Sequence, residues 1–190
     1  MQKALLLSAL FITFLVSNTF GQTGYNIGDK VDDFAAKNEN NKSWNAKNFL
    51  GKKNVVVYFY PAAMTGGCTK QACAYRDDLS ILNDLNAIVV GISGDDPASL
   101  KLFKEAHSLN FTLLSDPNGE IAKHFGVPVK EGEKSIIRTI SGIEYTLNRS
   151  ATTARWTFVI DKTGKVVYKS TNVNAAEDSQ AVIKALKKAN

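Results

Sequence analysis

Five consecutive residues, Val55, Val56, Val57, Tyr58 and Phe59, are all β-branched or aromatic, and Pro61 follows two positions later. This stretch constrains the fold more than any other. An apolar run of that length and composition reads as a buried strand. Pro61 stops it, because proline has no N–H to give to a sheet. Gly66 and Gly67 form a turn, and residues 69–82 have helical composition. Cys68 therefore falls at or near the N-terminus of a helix that follows a central strand. Free backbone N–H groups and the positive end of the helix dipole favour a thiolate there, and the thiolate is the form that attacks electrophiles.

The spacing Pro61-x-x-x-Thr65-x-x-Cys68 resembles the active-site signature of the peroxiredoxins. Cys73, five residues on, together with Gln71, Ala72, Arg76 and Asp77, is similar to the bacterioferritin comigratory protein, or peroxiredoxin Q, subgroup. Gly66 stands where that subgroup often has a proline. Further support lies far from the cysteines. Ile27 to Phe34 resembles the family's opening segment, with Asp32 at a common proline position. Leu114-Ser115-Asp116-Pro117 through Phe125-Gly126-Val127 is also similar, and Arg155-Trp156-Thr157-Phe158 resembles its arginine-bearing strand. The resemblance implies a thioredoxin-like α/β fold, a central mixed sheet flanked by helices.

The rest of the chain fits one α/β domain, in which strands alternate with helices before a closing hairpin and helix. A second buried strand is expected over 87–92. Asp96 then caps a helix whose first residue is Pro97. A short strand over 111–114, a brief helix over 120–125 and a strand over 155–161 follow. The last helix carries Asn174 and Glu177 as a capping pair, with Val182, Ile183 and Leu186 on one face. Between them, 136–140 and 143–147 pair as extra strands.

Residues 1–21 differ from the remainder. Lys3 precedes an apolar run over 4–16, small and polar residues follow, and no other charge appears before Asp29. That is the pattern of a secretory signal peptide, cut ahead of Gln22 and leaving 22–190 as the domain. The run is shorter than the roughly 20 residues that span a bilayer, so export to a periplasm without stable membrane insertion is expected. The net charge of +5 comes from scattered lysines rather than a basic block interleaved with aromatics, which argues against a nucleic-acid partner. His107 and His124 are the only histidines and read as helix-end residues. With Cys68 and Cys73 they have no zinc-finger spacing, so neither a metal nor another cofactor is expected.

The resemblance implies roles for the site. Cys68 attacks a peroxide and becomes a sulfenic acid, and Cys73 resolves it as an intramolecular disulfide. Thioredoxin or another dithiol then reduces that bond. Arg155 is the cation that favours the thiolate, Thr65 holds the peroxide, and Pro61 shapes the pocket. The substrates implied are hydrogen peroxide and organic hydroperoxides, and the protein is a monomer or weak dimer. Two other readings of the cysteines stand beside this one. An exported thiol-disulfide oxidoreductase acting on proteins would more often show C-x-x-C than the C-x-x-x-x-C found here. A redox-switched binding module would use the same disulfide without catalysis.

Overall fold

A computed structural model describes residues 24–189, so the expected signal segment lies outside the described residues. In chain order the strands are β1 (Ala35–Asn38), β2 (Ser43–Asn45), β3 (Asn54–Phe59), β4 (Ala87–Ser93), β5 (Thr112–Ser115), β6 (Val129–Ile140), β7 (Ile143–Thr153), β8 (Trp156–Ile160) and β9 (Val166–Ser170). The helices are α1 (Gly66–Asp77), α2 (Leu79–Asp84), α3 (Pro97–Ala106), α4 (Glu120–His124) and α5 (Asp178–Ala189). Seven strands form one mixed sheet in the order β2-β1-β5-β4-β3-β8-β9. This is the thioredoxin-like architecture that the sequence leads one to expect.

β3 sits inside the sheet, parallel to β4 and antiparallel to β8. Alternate residues serve opposite faces. Val56, Tyr58 and Tyr60 join Ala72, Tyr75, Leu100, Phe103 and Val182 from α1, α3 and α5. Val55, Val57 and Phe59 join Phe34, Ala122, Phe125 and Phe158 on the other side. Two covered faces explain why the strand reads as unbroken apolar sequence rather than an alternation. Each large side chain buried this way contributes about 1.5–3 kcal/mol.

The expected cap at Asp96 and the glycine stop at Gly126 hold locally. Asp96 Oδ1 accepts from Ser99 N at 2.7 Å ahead of Pro97, and Gly126, at φ +75°, follows α4. The expected Asn174–Glu177 capping pair is not made: α5 begins only at Asp178, and Asn174 Oδ1 accepts from Ala176 N at 3.2 Å in the turn before it. The cysteine helix differs from the expectation of one helix over 69–82. It begins three residues earlier, because Thr65 is already extended (φ −105°, ψ 149°) and both glycines take helical positions. It breaks at Asp78, where Oδ2 accepts from Ser179 Oγ at 2.6 Å and Gln180 Nε2 at 2.7 Å. These bonds to α5 are tertiary and leave no local sign in the sequence.

β6 and β7 form a separate two-stranded arm, longer than expected, turning at Ser141 (φ 50°) and Gly142 (φ 83°). Two successive positive φ values suit a type I′ turn, whose twist matches the strands. Among the described residues no helix is long and apolar enough to cross a membrane.

Candidate active site

The site is built where β3 hands over to α1. The helix N-cap is Thr65, so Cys68 is the third helical residue and lies in the turn whose N–H groups have no helical acceptor. Its side chain is buried, 1% exposed. Arg155, just ahead of β8, comes in from across the sheet and donates from Nη2 to Cys68 Sγ at 3.2 Å. The fold thus supplies both features that favour a thiolate, a helix N-terminus and a cation, at one sulfur.

Arg155 is itself held. Its Nη1 donates to Gln71 Oε1, one turn along α1 from the cysteine. Gln71 Nε2 donates in turn to Asp178 Oδ2 at 2.7 Å, and the same oxygen accepts from Tyr75 OH at 2.6 Å and Thr157 Oγ1 at 2.8 Å. Asp178 therefore ties α1, β8 and the start of α5 beneath the arginine. Gly67 packs close by: a Cβ there would stand 3.3 Å from Arg155 Nη2, so the guanidinium would have to give by a few tenths of an ångström.

The loop from Pro61 to Thr65 joins β3 to the cysteine helix. Thr65 Oγ1 donates to Ala62 O at 3.0 Å instead of capping the helix. With its proton committed, that hydroxyl has only acceptor capacity left. Pro61 is half-buried at the head of the loop. Met64 adopts φ +57°, and Arg138 from the β6–β7 arm donates from Nε to its carbonyl at 3.0 Å. Ala63 N donates to Asp95 Oδ2 at 2.8 Å, deep under the loop.

Cys73 is half-buried further along α1, and both cysteines are free thiols. Tyr58, stacked on Tyr75 at 4.8 Å, brings its hydroxyl into the buried space near Cys68 with no hydrogen-bond partner among the described residues. Burial first, and then the nearness of Cys68 and Asp178, push that phenol well above its ordinary value.

The structure thus brings Arg155 to the Cys68 sulfur, sets Thr65 at the N-cap of the cysteine helix, leaves Pro61 just past the end of β3, and places Cys73 on the same helix. His107 caps α3 and His124 ends α4, as their helix-end reading requires. The sequence did not single out Asp178, Asp95 or Tyr58 as parts of the site. Asp178 looks like an ordinary acidic residue in a first helical turn, and Asp95 is masked by its neighbour Asp96, which carries the cap.

The AhpC/TSA family profile matches residues 27–169. The chain is 43% identical over 141 residues to the chloroplastic peroxiredoxin Q of Populus jackii, an alignment covering 74% of this chain and 58% of that one. It is 45% identical over 130 residues to the provisionally named peroxiredoxin bcp of Haemophilus influenzae, covering 66% and 81% of the two chains. The crystal structure of peroxidoxin BcpB from Mycobacterium tuberculosis matches with a TM-score of 0.73 at 31% identity, over 87% of this chain and 99% of that one.

Proposed function

The chain belongs to the AhpC/TSA family as a thiol-dependent peroxidase of the peroxiredoxin Q and bcp kind, and from that premise we propose how its residues carry the reaction. Cys68 attacks the nearer oxygen of a hydroperoxide as a thiolate. An S–O bond forms, the O–O bond breaks, and the departing oxygen takes a proton to leave as water or an alcohol. Thr65 accepts a hydrogen bond from the peroxide hydroxyl. Arg155 and the free N–H groups of the first helical turn donate toward the charge that builds on the oxygens. Pro61 limits the approach of water. Cys73 then attacks the sulfenic sulfur, expelling water and closing the disulfide, and a thioredoxin-like dithiol reopens it by exchange.

The contact that carries this reading is Arg155 Nη2 at 3.2 Å from a buried cysteine sulfur in the first turn of a helix. Peroxide consumption by the reduced protein tests it. Cys68→Ser is expected to abolish turnover with the fold intact, and undiminished turnover in that variant would sink the assignment. Cys73→Ser should keep the first turnover fast but stop dithiol-driven cycling, with Cys68 drifting to sulfinic acid.

The proposal extends to place and assembly. The composition of residues 1–21 supports export to a periplasm, which N-terminal sequencing of the mature protein checks through a start near Gln22. A monomer or weak dimer is proposed for the reduced form, to be read by sedimentation.

A further inference from the structure

Asp95 follows β4 and is fully buried, at 0% exposure. Its Oδ2 accepts from Ala63 N at 2.8 Å and from Ser93 Oγ at 2.7 Å, while Oδ1 has no partner among the described residues. Ala63 N–H and Ala62 C=O belong to one peptide unit, which is planar. That same carbonyl is the acceptor of the Thr65 hydroxyl, at 3.0 Å. One rigid plane is therefore fixed at its N–H by Asp95 and in turn fixes Thr65 at its C=O.

Asp95 is itself immobilised from the far side. Its main chain forms an isolated antiparallel β-bridge with that of Arg149 on β7, and the neighbouring Gly94 carbonyl accepts from Ser150 N at 3.1 Å. Ser115 Oγ donates to the Asp95 carbonyl at 2.7 Å. Burying a carboxyl with one oxygen unpaired is costly, and burial does push this group above the ordinary carboxylate range, against the hydrogen bonds from Ala63 and Ser93. An expensive group directly beneath the reactive loop points to a task there.

Resting on the reading of Cys68 as the residue that meets peroxide, we propose that Asp95 is a positioning residue for that reaction. It orients the Ala62–Ala63 peptide so that Thr65 presents its lone pairs, not its proton, to the peroxide. Asp95 has no contact with the sulfur and leaves the Arg155–Cys68 pair alone. Its removal therefore impairs reaction with peroxide more than reaction with a reagent that needs only the thiolate.

Two second-order rates of reduced protein separate these effects, one with hydrogen peroxide and one with iodoacetamide. Asp95→Ala should slow the peroxide reaction about tenfold or more while alkylation stays within about twofold. In a Thr65→Val background the same change should cost little more, since the group it orients is gone. An unchanged peroxide rate, an equal loss of both rates, or a full additional loss in the Thr65→Val background would each overturn the inference. Asp95→Asn, nearly isosteric, keeps an acceptor for Ala63 N–H and decides the matter should Asp95→Ala not fold. Its peroxide rate should stay within about threefold, and a tenfold loss with unchanged alkylation would also overturn the inference. Failure of the parent reading looks different, because Cys68→Ser would then still consume peroxide.

Discussion

The guanidinium of Arg155 bridges two acceptors, the Cys68 sulfur and Gln71 Oε1, and a planar fork does this as a point charge cannot. Arg155→Met should therefore slow both peroxide reduction and alkylation of Cys68 by about tenfold or more at neutral pH, since the charge favouring the thiolate is gone. Arg155→Lys should recover part of the loss. Equal rates in wild type and Arg155→Met would place the relevant cation elsewhere. Asp95 gives a second test at this scale, read in stability against pH. Its folded carboxyl binds its proton more tightly than the unfolded chain does, because of burial, with Arg149 opposing and Asp96 reinforcing the effect. The stability it contributes is thus fully present below the unfolded carboxylate value and is lost as pH rises through the folded one. Asp95→Asn cannot ionise, so its melting temperature relative to wild type should climb as pH rises through that window. Asp116, also pushed up by burial, has the same sign and is common to both proteins. A difference that stays flat or falls with pH would show that Asp95 does not titrate as its burial requires.

The β6–β7 arm is fastened to the sheet at its base by main-chain contact with the loop after β4. Gly94 sits so close that a Cβ would lie 2.1 Å from the Ala151 carbonyl oxygen, an overlap with backbone that no side-chain movement relieves. Gly94→Ala should destabilise the protein by about 2 kcal/mol or more, the cost of overpacking where the backbone must shift. Chemical denaturation measures this, and a cost under about 0.5 kcal/mol would mean the arm yields freely. Gly66→Ala is the contrast, with open space around its Cβ position and no positive φ, so it should be neutral or stabilising. The same contrast marks what a sequence can disclose. Strand β3, the Asp96–Pro97 helix start and the pairing of β6 with β7 were legible because period, caps and turns are local. Arg155 was legible only through its likeness to a known motif, since it lies 87 residues from Cys68. Asp178 and its 107-residue reach to Gln71 were not legible, because a buried acceptor declares itself only when the folded chain delivers its donors. The break at Asp78 escaped for the same reason, as its partners are on α5.

At the scale of the whole molecule, oxidation should cost stability, although a cross-link ordinarily adds it. In a regular helix, residues five apart are separated by a rise of roughly 7.5 Å and a rotation of about 140°, which puts their Cα atoms about 8.6 Å apart. A disulfide needs a Cα separation below about 7 Å. Cys68 and Cys73 both lie within continuous α1, so the bond cannot close until the helix start unwinds. Unwinding withdraws Cys68 from Arg155, and Gln71 from Arg155 and Asp178. Three hydrogen bonds to charged or carboxyl groups, at about 1.5–3 kcal/mol each, amount to more than about 4 kcal/mol. Closing a loop this short restricts the unfolded chain by only about 2 kcal/mol. The loss is larger than the gain, so the disulfide form should melt below the reduced form. Amide exchange across residues 66–76 should rise on oxidation. A Cys73→Ser control exposed to the same oxidant separates the cross-link from other damage. An oxidised protein that melts higher, with exchange across α1 unchanged, would show that the bond forms without unwinding the helix, and the geometry of residues 68–73 would need another explanation.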